Sequence, residues 1–256
     1  MLTGLRIAAS GLLVQQRNLD VVAHNIANAD TIAFKRLRLA AQDLPNGADR
    51  FLALGGAGVA EPVELGRGVA LAGIERLVAP GPLLPTDHPL DLALGGDTFL
   101  VVAADGRTAY TRDGALELDA AGRLTTAGGY VVQPEIVVPA EATAVRIDGN
   151  GQVWATLGAE EQVVGQLQVA RFGNPAGLLA IGNGLFVPTV NAGAPTVGAP
   201  GAGDLPALQP GMLEASNVEL AAEFTRMLQA QRAYQLNLRA LQAWDEMIGQ
   251  AANVRR

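Results

Sequence analysis

The chain has 256 residues, 49% of them hydrophobic, no cysteine and a formal net charge of −7. Those figures exclude disulfides and thiolate metal sites, and they argue against a disordered chain and against a nucleic-acid binder, which needs a basic face to neutralise phosphates. With only 4% aromatic residues, the core must come mostly from Val, Leu, Ile and Ala.

The first predicted element is a helix over residues 1–30. Leu5, Ala8, Leu12, Gln15, Leu19, Val22, Ile26 and Ala29 advance alternately by three and four residues, which is a heptad seam. Its flanks read Gly4, Gly11, Asn18, Asn25 on one side and Leu2, Ala9, Gln16, Ala23 on the other. A solvated two-stranded coiled coil usually carries Glu and Lys there. Small residues let backbones approach, and neutral amides bond across an interface without the desolvation cost of an ion. The flanks therefore predict a helix packed on several sides by other copies of the chain. Packing against the chain's own β body would satisfy the same faces. Lys35, Arg36 and Arg38 form a basic cluster just beyond, read as a solvated helix end that complements the dipole.

Residues 31–68 are expected to form an extended connector, rich in Gly, Ala and Pro from residue 45 onward. From 69 to 213 the period changes to two. Short runs such as "FLVVA", "TAYTR", "ALELD", "YVVQ", "EIVVP" and "AVRID" lie between glycine turns at Gly106, Gly114, Gly122 and Gly128–Gly129 and predict antiparallel strands in a meander. His88 in "LPTDHPLD" reads as a turn residue. "DGNGQV" at 148–153 also reads as a turn, because Val153 and Ala159 stand where a calcium loop needs Gly and a bidentate Glu. Residues 191–211 are a Gly/Pro-rich return linker.

A second helical segment follows within 214–256. Leu220, Phe224, Met227, Gln231, Tyr234, Leu238, Leu241, Asp245 and Ile248 repeat the heptad spacing, and Leu228, Leu236, Trp244 and Met247 add apolar surface outside it. Ser216 and Glu219 predict a capping box at its start. A helix from 217 to 250 would be about 51 Å long, while a body of about 140 residues has a radius of gyration near 14 Å. The expected fold is thus α+β: terminal helices paired as a coiled-coil-like stalk, around a central, mainly antiparallel β domain.

Catalytic chemistry is missing from the pattern. Ser10 and Ser216 are the only serines, and His24 and His88 the only histidines, so neither a Ser-His-Asp site nor a His-rich metal site is expected. The glycine-rich stretches fail the dinucleotide fingerprint. A non-enzyme without cofactor or metal is predicted. No apolar run approaches the roughly 18 residues of a membrane span, and no cleaved secretory signal is expected at the start.

"GLRIAASGLLVQQRNLDVVAHNIANADTIAFKR" resembles the N-terminal signature of the bacterial flagellar basal-body rod and hook family, and "LEASNVELAAEFTRMLQAQRAYQLNLRALQAWDEM" resembles its C-terminal signature. The middle stretches "AYTRDGALELDAAGRLTTAGGYVVQPEIVVP" and "GLLAIGNGLFVPT" are most similar to the distal rod branch of that family. His24 stands where an Asn is usual, Ala33 where a Gly precedes Phe-Lys, and Asp97-Thr98 where Gly-Phe is common. If position 33 needs a positive φ, Ala carries strain there. The resemblance implies a structural subunit, exported by the flagellar type III apparatus, that polymerises helically with itself and with other rod and hook proteins in the basal body. By motif match the assembly residues are Leu5, Leu12, Leu19, Asn25, Ile26, Asn28, Phe34 and Lys35, with Asn217, Phe224, Met227, Gln231, Arg232, Tyr234, Leu238 and Met247. A proximal rod subunit, or a β-rich binder or adhesin on a helical stalk, are the alternatives.

Overall fold

The computed structural model describes residues 2–44, 50–54, 60–64, 66–104 and 106–254. Two compact units emerge, one from Met1–Ala27, Leu37–Arg76 and Glu219–Arg256, the other from Asn28–Arg36 and Leu77–Val218. The α+β character, with a helix toward each chain end and mainly antiparallel strands between, matches the expectation.

The first unit holds helix α1 (Leu2–Ala27), strands β1 (Leu37–Asp43), β2 (Arg50–Leu54), β3 (Ala60–Glu64) and β4 (Val69–Arg76), and helix α2 (Leu220–Val254). The helices pack antiparallel: Trp244 lies against Gly4, Asn237 against Gly11, and Glu223 is hydrogen-bonded to Asn25. The closest contacts recur along the row predicted as a flank, while Ala8 and Val22 of the predicted seam are buried as well. The reason is steric. A Cβ on Gly4 would stand 2.7 Å from the Trp244 ring, so the closest approach belongs where α1 has no side chain. Ala8, Val14, Val21, Val22 and Asn25 are buried on α1, and Glu223 and Ala230 on α2. Leu5, Leu12, Leu19 and Ile26 of the predicted seam are only half-buried.

Residues 31–68 are not simply extended. β1 pairs antiparallel with β4, with a bulge between Ala40 and Ala41, and β2 pairs with β3. β1 and β4 lie far apart in sequence, so their pairing leaves no local turn signal. Ser10 anchors the return to β4: its Oγ accepts from the Val69 N–H at 3.2 Å, beside Gly68 at φ +114°.

The second unit is built on a nine-stranded antiparallel sheet. Its central strand, Thr98–Ala104, pairs with Arg107–Thr111 on one side and with Val169–Arg171 and then Val131–Val132 on the other. Both faces are covered. Leu100 and Val102 join Leu92, Leu116, Leu124, Val132, Val153 and Leu167 in one core, while Phe99 and Val101 join Tyr110, Ala170 and Phe172 in another. Phe99–Phe172 and Tyr110–Phe172 meet edge-to-face at 5.8 and 4.9 Å, the geometry ring quadrupoles favour. Burial on both sides explains why this strand reads as an unbroken apolar run.

Three of the predicted glycine turns carry the positive φ that a tight turn needs: Gly106, Gly122 and Gly129. Gly114 serves a different purpose. Its Cβ would lie 1.8 Å from the Leu92 carbonyl oxygen, so the chain crosses another strand there and the meander breaks. "EIVVP" forms only the isolated bridge Val137–Arg123. A smaller sheet joins Ala144–Ile147, Gln152–Leu157 and Glu160–Gln166, and its first turn is closed by Asp148 Oδ1, which accepts from Asn150 and Gln152 N–H. The predicted return linker is ordered and buries Ala192, Leu205 and Leu208.

Candidate functional site

On α2 the contact row Glu223, Ala230, Asn237, Trp244 is flanked by half-buried residues such as Met227, Tyr234 and Leu241, and much of the remaining surface is exposed. Leu220, Phe224 and Leu228 follow at four-residue spacing, 43%, 47% and 52% exposed, and Leu238 continues the same flank. Gln231, Gln235 and Gln242 fill the intervening positions. The flank carries no charge. Across the helix, Leu236 and Met247 are exposed as well, as is Leu13 on α1.

The end of α1 is fixed by Asn25, which is almost fully buried. Its Oδ1 accepts from the Leu37 N–H at 2.8 Å, and its Nδ2 donates to the Leu37 carbonyl at 2.8 Å and to Glu223 Oε2 at 3.2 Å. One amide thus imitates a neighbouring strand for β1 and ties α1 to α2. Glu223 also pairs with Arg226. The asparagine that is awkward in a helix serves its own subunit, because an amide alone offers donor and acceptor side by side.

Of the basic cluster, Lys35, in the second unit, departs from the reading as a solvated helix end, whereas Arg38 is exposed. Lys35 is buried. Its Nζ donates to Glu214 Oε1 at 2.5 Å and to the Ala79 carbonyl at 3.0 Å. Glu214 Oε2 accepts from Arg112 Nε and Nη2 at 2.9 and 2.7 Å, while Oε1 also accepts from Gly81 N–H. Arg112 spends its remaining donors on the carbonyls of Leu94, Gly96 and Thr98, with its guanidinium 5.6 Å from the Phe99 ring centroid. All three charged side chains are 1% exposed. Burial, assisted by the Arg112 charge, pulls the Lys35 ammonium below the usual lysine range. Burial alone would raise the Glu214 carboxyl, but Arg112, Lys35 and the Gly81 N–H together hold it below the usual glutamate range.

Around this charge cluster the backbone is sewn together. Ala33 N–H donates to the Glu214 carbonyl, and Asn217 N–H to the Phe34 carbonyl. Asn217 Oδ1 accepts from Arg36 N–H, and its Nδ2 donates to the Leu77 and Ala79 carbonyls. Ala33 adopts φ 55°, so the residue that departs from the usual glycine does sit in the left-handed region. The capping box does not form. Ser216 Oγ accepts from Val218 N–H in a local turn, and α2 begins at Leu220 because residues 214–217 are committed to these contacts.

The residues expected from motif match thus separate into three groups. Asn25, Lys35 and Asn217 bond within their own units. Phe224, Gln231, Arg232, Leu238 and Met247 are exposed. Leu5, Leu12, Leu19, Ile26, Asn28, Phe34, Met227 and Tyr234 are half-buried. Arg112, Glu214 and Glu223 escaped sequence reasoning, since a charged residue announces burial only through the company it keeps in space. No cluster of His, Cys, Asp or Glu able to hold a metal occurs among the described residues.

Comparison with known proteins adds three matches along the chain. Residues 5–35 match the family described as "Flagella basal body rod protein", residues 93–155 "Flagellar hook protein FlgE/F/G D1 domain", and residues 209–254 "Flagellar basal body rod FlgEFG protein C-terminal". The chain is 39% identical over 258 residues to the flagellar basal-body rod protein FlgG of Caulobacter vibrioides, covering 98% of both chains. It is 36% identical to that of Borreliella burgdorferi and 34% identical to that of Bacillus subtilis, each over the full length of both chains. With likeness of this extent, and with both terminal signatures on the helices that close the first unit, the chain belongs to the FlgG family of flagellar basal-body rod proteins.

Proposed function

We propose that this chain is a non-enzymatic structural subunit of the distal part of the flagellar rod, polymerising helically through α1 and α2 as the shaft that transmits rotation. The carrying observation is the uncharged flank of α2, where Leu220, Phe224, Leu228 and Leu238 are exposed among glutamines. Exposed apolar surface in a row needs a partner. A second copy meeting it with a different patch makes a heterologous contact, which propagates as an open filament when the rotation does not close. In this reading the antiparallel helix pair is a short coiled-coil-like unit, and Leu5, Leu12, Leu19 and Ile26 edge the same assembly surface. Asn25, Lys35 and Asn217 contribute by holding the subunit's shape. Export through the flagellar apparatus and contact with other rod and hook proteins complete the proposal, on the strength of the family.

The test is charge insertion. The double variant Phe224→Asp, Leu228→Asp should keep its fold, since surface changes usually cost within about 0.5 kcal/mol each, and unfold in urea like the parent. In a bacterium carrying it as the only copy, basal bodies should lack the distal rod and swimming in soft agar should cease. Full-length rods built from this variant would show that the flank is not an assembly face.

A further inference from the structure

Six strands form one row of the nine-stranded sheet, in the order Leu179–Gly182, Leu185–Val187, Arg107–Thr111, Thr98–Ala104, Val169–Arg171, Thr196–Gly198, each paired antiparallel with the next. Both outer strands come from residues 172–203, a stretch without one charged residue in a chain that is 17% charged. Natural sheets usually blunt such edges with charge. The other outer strands of this sheet and of the three-stranded sheet do so, with Glu117, with Arg146, and with Glu160 and Glu161. Here the edges instead expose Leu179 at 56% and Val197 at 45%. On the face of the aromatic cluster, partners follow one another from Ala180 through Phe186, Tyr110 and Val101 on one side, and from Phe99 through Ala170 to Val197 on the other. Leu179 and Gly198 belong to the opposite face, where Arg171, Gly198 and residues 202–205 line a cleft of about 440 Å³.

We propose that Leu179–Gly182 of one copy docks antiparallel onto Thr196–Gly198 of the next, with Ala180 beside Val197 and Leu179 beside Gly198 at the cleft; this rests on the reading of the chain as a homopolymer. Strand direction permits it. Because the row holds six alternating strands, its two edges run in opposite directions, and a copy added without being turned over continues the antiparallel order. Charge favours a second copy as the occupant. Two chains of net charge −7 repel, and a contact between uncharged edges sets no carboxylate against another. A bulge between Ala180 and Gly182 and the prolines at 195 and 200 keep the paired strands to four and three residues. So few bonds hold only copies already side by side, which contact through α1 and α2 supplies as effective concentration. The docking ties β unit to β unit and stiffens the shaft.

The chain has no cysteine, so disulfides introduced at the contact are the only ones it can form. In a bacterium carrying Ala180→Cys with Val197→Cys as the only copy, oxidised basal bodies should yield a ladder of disulfide-linked multimers, because facing residues of paired strands stand about 4.5–5.5 Å apart at Cα, within disulfide reach. Inside one copy the two positions are five strand spacings apart, roughly 24 Å, so every link joins two copies. Complete rods without the ladder overturn the docking and leave the polymer reading standing, whereas absence of the unmodified chain from isolated rods overturns both. A dimer linked through Ala180→Cys alone overturns the head-to-tail order. If the double variant builds no rod, the two single variants expressed beside the unmodified chain should report the same contact as a disulfide dimer, and its absence from complete rods overturns the docking.

Discussion

Asn25 shows how one side chain decides a local fold. Its amide pairs with both backbone groups of Leu37, so Asn25→Ala leaves an N–H and a carbonyl without those partners. At about 1–3 kcal/mol for each unsatisfied group, the first unit should lose about 2–4 kcal/mol, read by urea unfolding with Trp244 fluorescence. Asn25→Asp should do no better, since it keeps the acceptor but sets a second carboxylate against Glu223 Oε2, now 3.2 Å from the amide nitrogen. Ala33 poses the opposite question. Its positive φ costs roughly 1–2 kcal/mol, yet glycine would add unfolded-state freedom worth about 0.4–1 kcal/mol and give up a buried methyl worth about 0.8 kcal/mol. Ala33→Gly should therefore change the stability of the second unit by less than about 1 kcal/mol. Ala33→Val should cost about 2 kcal/mol or more, because a β-branched residue tolerates this conformation worst. Unfolding followed at Trp154 measures both.

At the level of elements, the helix pair rests on the absence of side chains. A Cβ at Gly11 would meet the Asn237 amide at 3.1 Å, which a slight shift of that amide relieves. Gly11→Ala gains about 1 kcal/mol of helix propensity, so it should come out near neutral. Gly11→Leu has no such escape. The helices should remain helical by circular dichroism yet separate, and Trp244 emission should move to longer wavelength as its ring leaves Gly4. An unshifted emission spectrum for Gly11→Leu would count against the close approach as the basis of pairing.

For the whole molecule, the two units differ in what they bury. The first buries mainly alanines, valines and a hydrogen-bonded amide in its helix pair, whereas the second has an aliphatic core on one sheet face and an aromatic cluster on the other. Dilute protein should accordingly lose the first unit at lower urea than the second. Trp244 and Trp154, one in each unit, report them separately in the Trp154→Phe and Trp244→Phe variants, and coincident midpoints would contradict the division. Acid acts on the second unit through Glu214. Its folded carboxyl lies below the ordinary glutamate value, so its contribution is complete at neutral pH and is lost as pH falls from about 4.3 through the depressed value. The urea midpoint read at Trp154 should fall in that window. Glu214→Gln should remove that part of the dependence and leave the part due to Asp119 and Glu161, whose carboxyls are also held low by Arg123 and Arg146.

Periodicity and turn chemistry made the two helices, the β-rich centre and the turns at Gly106, Gly122 and Gly129 legible, since each is a statement about neighbours along the chain. The terminal signatures carried the family. Tertiary structure decided the rest, because it turned on distance in space. Heptad spacing leaves open which row of a helix faces its partner, and the glycines at 4 and 11 moved the contact one residue from the predicted seam. Lys35 looked like a solvated helix end until Glu214, far along the chain, proved to be its counter-charge. A sequence displays its periods and its charges, but which charges are buried together depends on which strands lie side by side.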